Sequence, residues 1–473
     1  MTETIPANLS QALRRCGQEH LLRRCEALPA FERDSLVSQL RDLDLPQLAL
    51  LYRDLKEKAA RDDEESAAFR AARALPPSRI VRRARSDAEN AAWHDAARRG
   101  RELLVSGRVG VVLVAGGHGT RLGFSQPKGM YPVGPVSGAT LYQLLAEQLL
   151  ARSRQSGVPI PYFVMTSDAT HAATCAFFAR HEYFGLDRRD VFFFQQENMP
   201  AVDARTGQIL LAEIAKLSSS PDGHGGLLGA ISKAGLFDEM RSRGIDFLYY
   251  HQVDNPTAIV CDPAFLGWHV AEQAEVSTKV VAKSSPEEKM GLVVEVDGKT
   301  CIIEYSDLPD EVARKTDASG RLVHWAGNTA IHVFNREFLE RIVRDAGGLP
   351  YHAARKKVAF VDETGYLVVP TEPNAIKFER FIFDVLPRAQ RAFVVETDRE
   401  REFNPVKNES GPDSPETARQ ALCEIHRQWL RQAGAIVDDD APVEISSLIA
   451  LEAADVTRHV APGTQFRSPV YLH

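Results

Sequence analysis

The stretch Ala115 to Gly129, AGGHGTRLGFSQPKG, holds the densest set of groups suited to chemistry in this chain. Four glycines, Gly116, Gly117, Gly119 and Gly123, let the main chain come close to a ligand and aim N–H groups at it, which suits a phosphate or the edge of a base. Arg121 and Lys128 add two cations at fixed offsets, which a plain turn after a strand would not need. The string is not a dinucleotide fingerprint, because reading GxGxxG from Gly117 puts Leu122 where the last glycine belongs. No Walker A string occurs either. A second candidate is Asp254, near the end of the apolar run FLYYHQVDN, at the C-terminal end of a predicted strand where α/β sheets place ligands. A carboxylate there can hold Mg²⁺ against phosphates or cap the following loop. His251 nearby is a poor Mg²⁺ ligand and reads as structural.

The elements that must position these groups follow from periodicity. GVVLVA, Gly110 to Ala115, is a continuous apolar run ending in the glycine-rich turn, the pattern of a strand buried on both faces. A helical run, TLYQLLAEQLLARSRQ, comes next, followed by the strand PYFVMTS, the helix HAATCAFFARHEYF and the strand DVFFFQQ. This alternation predicts a doubly wound α/β mixed sheet, continued by FLYYHQVDN and STKVVAKSS, with a hairpin at Asp297-Gly298. Before it, amphipathic runs at Leu9 to Leu28 (capped by Asn8 or Ser10), Phe31 to Leu43 and Pro46 into Arg61 predict a helical bundle. An arginine-rich linker with Pro76 and Pro77 leads out of that bundle. After Arg388 the strand-like AFVVETDRE, a polar loop, one helix and the tail VEISSLIALEAADV suggest a small β-rich C-terminal domain. The expected division is a helical domain over 1–107, a catalytic core over 108–388 and the C-terminal domain over 389–473.

Composition narrows the function classes. With 57 Lys+Arg against 64 Asp+Glu the net charge is −7, which disfavours a nucleic-acid protein working through a broad basic surface. The six cysteines are scattered, with no CxxC pair and no zinc-finger spacing, so they read as reduced thiols. The start of the chain lacks a signal-peptide pattern and no segment offers about 18 consecutive apolar residues. A cytoplasmic location without a membrane partner is expected. Nothing in the sequence sets an oligomeric state, and the helical N-terminal region has no chemistry of its own.

The glycine-rich segment resembles the nucleotide-binding signature of sugar-nucleotide pyrophosphorylases, and LGFSQPKGMYPVG is similar to the UDP-N-acetylglucosamine branch. The likeness runs along nearly the whole chain: GQEHLL, FFARHEYFGL, FFQQ, PDGHGG, VDNP, EYSDL, GRLVHWAGNTAIHVF, PNAIKFERFIFDV, EFNPVKN and VEISSLI. The resemblance implies a Rossmann-like nucleotidyltransferase that joins UTP and N-acetylglucosamine 1-phosphate, releasing pyrophosphate, with Mg²⁺ as cofactor. It implies that Arg121 and Lys128 hold the triphosphate, that Lys377 reaches the phosphate being joined and that Asp254 holds the metal. It places Gln196 on uracil, Gly223 and His224 at the nucleotide, and Glu304 and Asn328 on the sugar hydroxyls. One departure stands out: the branch typically reads DGNGG, whereas Asp222 to Gly226 reads DGHGG, whose GHG is similar to UDP-glucose pyrophosphorylases. The alternatives are therefore glucose or galactose 1-phosphate as substrate, or a non-catalytic nucleotide-sugar binder.

Overall fold

The computed structural model describes residues 5–60, 71–345 and 348–473; the end of the third amphipathic run, at Arg61, lies outside them. The described residues form two compact units. The smaller consists of residues 5–60 with Gln196–Leu227 and Leu349–Ile382, and the larger holds the rest.

The larger unit is built on one mixed sheet. Its strands run in the order Ile80–Val81, Ala392–Glu396, Val276–Ala282, Ala326–Asn335, Phe247–Gln252, Val109–Val114, Tyr162–Thr166 and Val191–Gln195. Along this path Ala326–Asn335 runs antiparallel to both neighbours, and the other pairings are parallel. The hairpin Leu292–Val296 and Lys299–Ile303 turns at Asp297-Gly298, both at positive φ as a tight hairpin requires. Apolar runs such as Val111, Val112 and Leu113 are buried on both faces because helices cover the sheet. Helix Leu141–Ser156 starts where the Thr140 hydroxyl accepts the Gln143 N–H and stops at Gly157, at φ 73°. Helix Asp168–Arg180 starts at the Ser167–Thr170 capping box, earlier than the apolar periodicity alone suggests.

Ala392–Glu396 corrects the expected division of the chain. Although it follows residue 388, this strand lies inside the sheet, paired with Ile80–Val81 and Val276–Ala282. Its five residues are all buried, so it belongs to the central sheet and not to the tail. The tail proper has helix Pro415–Gln432 and two short parallel strand pairs, Ile436–Val437 with Gln465–Phe466 and Val443–Ile445 with Val470–Leu472. Glu444 of VEISSLI is buried, and its carboxylate accepts the N–H groups of Val136 (2.7 Å) and Ser137 (2.6 Å), tying the tail to the loop before helix Leu141–Ser156.

In the smaller unit four helices, α1 (Ala7–Arg15), α2 (Glu19–Ala27), α3 (Ala30–Arg41) and α4 (Leu45–Ala60), share a core with Val202, Ile209, Leu211, Ile376 and Phe378. The run Leu9 to Leu28 is two helices because Gly17 takes φ 71°, a left-handed stop that glycine reaches without strain. The residue before α1 is Pro6, so Asn8 and Ser10 lie within the helix and do not cap it. Strand Ala375–Arg380 runs between Tyr351–Lys356 and Val202–Asp203. No helix among the described residues is long and apolar enough to cross a membrane.

Two helices of the larger unit, Asp87–Val105 and Pro263–Ala271, cross with their backbones touching. A Cβ on Gly100 would lie 1.8 Å from the Pro263 carbonyl oxygen, and one on Gly267 would lie 1.7 Å from that of Ala96. Gly267→Ala is therefore expected to lower unfolding stability by about 2–3 kcal/mol through overpacking. Denaturant melts of the two proteins check it, and an unchanged midpoint would contradict the close crossing.

Burial also holds four histidines neutral, lowering His224, His269 and His426 to about 4 and His251 to about 3. In the unfolded chain a histidine titrates near ~6.5, so between the two values the unfolded state binds more protons and stability rises with pH. The contribution is complete above the unfolded value and is lost as pH falls through the folded ones. Unfolding at pH 5 should take up about four protons onto these side chains, and His426→Gln should remove about one, read from the slope of stability against pH.

Candidate active site

The glycine-rich segment leaves strand Val109–Val114 and closes on itself through its main chain. Gly119 N–H donates to the Gln126 carbonyl (3.0 Å), Lys128 N–H to that of Gly117 (3.0 Å) and Phe124 N–H to that of Gly119 (3.1 Å). A Cβ on Gly119 would lie 2.8 Å from Phe124, so this fold of the loop admits only glycine there. The Ser167 hydroxyl, at the end of the next strand, donates to the Gly116 carbonyl at 2.8 Å. Among the described residues, the Gly116 and Gly117 N–H groups have no protein acceptor, which leaves them for an anion. Arg121, on the turn Thr120–Leu122, is exposed and has no ion-pair partner among the described residues.

Asp254 emerges beside this loop because its strand is the neighbour of the loop strand. Phe247–Gln252 pairs in parallel with Val109–Val114 residue for residue, ending at Gln252 opposite Val114, and Val253 N–H donates to the Val114 carbonyl at 3.1 Å. The result is an Asp254 carboxylate 4.0 Å from Lys128 Nζ, with both side chains mostly buried at 16% and 17% exposure. His251, fully buried and stacked on Tyr162, supports the strand from behind. No group of three His, Cys, Asp or Glu among the described residues makes a dedicated metal cage. One carboxylate beside a glycine-rich loop with open N–H groups nevertheless fits Mg²⁺, which binds through one or two carboxylates and completes its shell with phosphate oxygens and water.

A further cation that residue-by-residue reading of the sequence missed, Lys407, lies on the segment bonded to the Asp254 main chain. Val406 N–H donates to the Asp254 carbonyl (2.8 Å), and the Asn255 side chain donates to the Glu402 carbonyl (2.8 Å) and accepts the Asn404 N–H (3.2 Å). These bonds lay the EFNPVKN segment along the VDNP turn and bring Lys407 one residue from the anchor on Asp254. Lys407 Nζ lies 3.9 Å from the Asp413 carboxylate and over the Phe403 ring. Burial pushes Asp413 upward, with Lys407 pulling against it. The segment rests on a buried trio in which Lys279 Nζ donates to Asp262 at 2.7 Å and also to Glu402. Burial raises Glu402 above the usual carboxylate range, whereas at Asp262 the attraction of Lys279 overrides burial and lowers it. The signal available in sequence was the lysine of EFNPVKN itself, in a Pro-bearing polar loop.

Glu304 and Asn328 are brought together around Gly291 in the larger unit. Asn328 N–H donates to the Gly291 carbonyl (2.8 Å), and a Cβ on Gly291 would lie 3.2 Å from the Glu304 carboxylate. Asn328 also supports the backbone, because its side-chain oxygen accepts the Ala330 N–H (3.0 Å) where the strand kinks through a positive φ of 57°.

The remaining candidates, Gln196, Gly223, His224 and Lys377, belong to the smaller unit. Gln196 is buried, and its neighbour Glu197 accepts the Asp222 N–H at 3.0 Å, so Gln196 and Gly223 flank one backbone bond. Asp222 pairs with Arg380; burial raises its pKa, with Arg380 pulling against it. Gly223, at φ 85°, lies against the Arg380 backbone, where a Cβ would meet the carbonyl oxygen at 2.4 Å. His224 Nδ1 accepts the Ile382 N–H (3.1 Å), which puts the hydrogen of the neutral ring on Nε2, and the ring stacks on Phe381. Lys377 is half-buried on strand Ala375–Arg380, opposite Ala354.

Known proteins similar to this chain fall in one family. The sequence profile of the family described as UTP–glucose-1-phosphate uridylyltransferase matches residues 52–456. The human UDP-N-acetylhexosamine pyrophosphorylase-like protein 1 is 38% identical, over 97% of this chain and 96% of its own length. The Saccharomyces cerevisiae UDP-N-acetylglucosamine pyrophosphorylase is 37% identical, over 93% and 94%. The crystal structure of the Trypanosoma brucei uridine diphosphate N-acetylglucosamine pyrophosphorylase in complex with an inhibitor superposes with a TM-score of 0.83, at 26% identity over 97% of this chain and 95% of that one. With a profile spanning most of its length and relatives of this similarity end to end, the chain belongs to the UTP–glucose-1-phosphate uridylyltransferase family.

Proposed function

We propose that this protein is a uridylyltransferase that joins UTP and N-acetylglucosamine 1-phosphate to give UDP-N-acetylglucosamine and pyrophosphate. What supports it most is the grouping of the open Gly116 and Gly117 N–H groups, Arg121, Lys128 and Asp254 at the ends of two adjacent strands, in a chain with a near-full-length relative named UDP-N-acetylglucosamine pyrophosphorylase. In the reaction a phosphate oxygen of the sugar 1-phosphate attacks the α-phosphorus of UTP in line, and the bond to the β-phosphate oxygen breaks to release pyrophosphate. Such a displacement needs positioning and charge stabilisation more than covalent help. The loop N–H groups, Arg121 and Lys128 hold the triphosphate and the leaving pyrophosphate. Lys377 meets the incoming sugar phosphate, and Lys407 adds positive charge beside Asp254. Asp254 would hold Mg²⁺, which when bound neutralises phosphate charge. Gln196 and the Gly223–His224 turn read the base, and Glu304 and Asn328 grip the sugar. A cytoplasmic site of action suits a reaction that draws on UTP.

A second reading, glucose 1-phosphate or galactose 1-phosphate as the substrate, is favoured by His224 alone. Pyrophosphate release measured with UTP and each sugar 1-phosphate separates the two. The expected result is a kcat/KM at least about tenfold higher for N-acetylglucosamine 1-phosphate, a difference of about 1.4 kcal/mol in transition-state binding. Turnover with glucose 1-phosphate and none with the N-acetyl sugar would sink the proposal.

The two lysines can be tested separately. Lys377→Ala and Lys407→Ala should each lower kcat by about 10²-fold, the usual cost of removing one group that stabilises developing charge, and leave UTP binding within a fewfold. A wild-type rate in either variant removes that lysine from the mechanism. Omitting Mg²⁺ in the presence of a chelator should abolish turnover, and Asp254→Asn should weaken the Mg²⁺ dependence of the rate.

A further inference from the structure

The N-terminal helices carry no chemistry of their own, yet three of their side chains, with Gln18 of the turn between α1 and α2, bond the main chain of one hairpin. Gln18, at 5% exposure, uses its amide like a strand peptide: Nε2 donates to the Gly207 carbonyl (3.0 Å) and Oε1 accepts the Ile209 N–H (2.8 Å). His20 Nε2 donates to the Ile209 carbonyl at 2.9 Å. Gln39, on α3, repeats the device one turn of the hairpin further on, donating to the Ala215 carbonyl (2.9 Å) and accepting the Leu217 N–H (2.9 Å). Tyr52, on α4, donates to the Ala204 carbonyl (3.3 Å), and its ring fills the space where a Cβ on Gly207 would stand. Satisfying backbone groups of a hairpin with buried side-chain amides fixes its register more firmly than apolar packing does, because a slip leaves donors and acceptors unpaired.

From this clamped end, main-chain bonds run without interruption to the other. Ser218 N–H donates to the Leu210 carbonyl, Leu210 N–H to that of Ala201, and Ala201 N–H to that of Ser218. Asn198–Pro200 then pairs with Ser219–Pro221, and Asp222 N–H closes on the Glu197 carbonyl. The residues immediately beyond that last bond are Gln196 and Gly223, so the helices hold one end of a ladder whose other end carries the two candidate base readers.

We propose that the N-terminal helices are a positioning element for the nucleotide: Gln18, His20, Gln39 and Tyr52 set the register of the 197–222 hairpin, and through it the spacing of Gln196 and Gly223. The inference rests on the reading that those two residues meet the base. It gives a role to the GQEHLL motif, which the chemistry of the phosphates leaves unused.

The test uses the full-length enzyme with Gln18→Met and Gln39→Met, which keep side-chain length and remove the paired amide. Each should raise the KM for UTP about tenfold, leave kcat within about threefold and the sugar-phosphate KM within about twofold, and reduce the preference for UTP over CTP about tenfold. A merely structural role would scale all rates with the folded fraction and leave nucleotide preference intact, and that result would overturn the proposal. Should the methionine variants not fold, Tyr52→Phe removes a single hydroxyl and should move the UTP KM about two- to threefold in the same direction; no movement there also overturns it. Gln196→Ala is the control. If it raises the UTP KM while the helix variants do not, the positioning role alone falls; if it changes nothing, the base reading fails and the proposal falls with it.

Discussion

Two adjacent parallel strands, Val109–Val114 and Phe247–Gln252, end at the same level, and the candidate chemistry depends on that register. One strand delivers the glycine-rich loop with Arg121 and Lys128, and the other delivers Asp254. A shift of one residue would turn every side chain of a strand to the opposite face and separate Lys128 from Asp254. The pair also fits the charge balance of the whole protein. At a net charge of −7 there is no broad positive surface to gather a triphosphate, so each cation has to be fixed in place. Lys128 is fixed by its own N–H on Gly117, and the segment carrying Lys407 by the Val406 N–H on Asp254. At 4.0 Å and an effective dielectric of about 20, a single Lys–Asp attraction is on the order of 4 kcal/mol before desolvation. A polyanion brings several charges to the same place and can displace that pairing.

Behind Asp254 lies a deeper, buried ionic layer. Lys279, Asp262 and Glu402 form a buried trio of one cation and two carboxylates, with Thr397 donating to Glu402 as well. One lysine cannot neutralise both acids, which is why the two part in opposite directions, Asp262 staying ionised and Glu402 pushed upward by burial. Such a trio contributes little net stability compared with apolar packing, but it is unforgiving of displacement. Glu402 begins EFNPVKN, so fixing it fixes the loop that presents Lys407.

Much of this was readable from residue types and spacing because the signals were local. The apolar run before Gly116 foretells a strand buried on both faces, and Asp297-Gly298 a hairpin, since each depends on a few neighbouring residues. What escaped depends on pairing between distant segments. Ala392–Glu396 looks like a generic strand, and only its insertion beside Val276–Ala282 makes it part of the core sheet. Lys407 stands far along the chain from Asp254, and no periodicity connects them; a backbone hydrogen bond does. Gln18 and Gln39 are similarly silent, since a glutamine that imitates a strand peptide looks in sequence like any polar residue of a turn or helix.

The DGHGG turn shows where this segment has room for a side chain. Gly223, Gly225 and Gly226 each lack room for a Cβ, the last two because Phe381 and Asp222 stand within 2.6 Å and 2.0 Å of where it would lie. Position 224 is therefore the one residue after Asp222 in this turn that can bear a side chain. Its anchor is an acceptor for the Ile382 N–H, supplied here by His224 Nδ1. The amide oxygen of asparagine can accept the same bond, so exchange between the two keeps the turn and changes what lies beyond the anchor: an aromatic ring stacked on Phe381 in place of a small amide. Burial lowers the ring's pKa to about 4, so at neutral pH the exchange adds bulk and a single N–H donor but no charge. An exchange between asparagine and histidine at position 224 therefore changes the bulk of this turn and leaves its charge as it was.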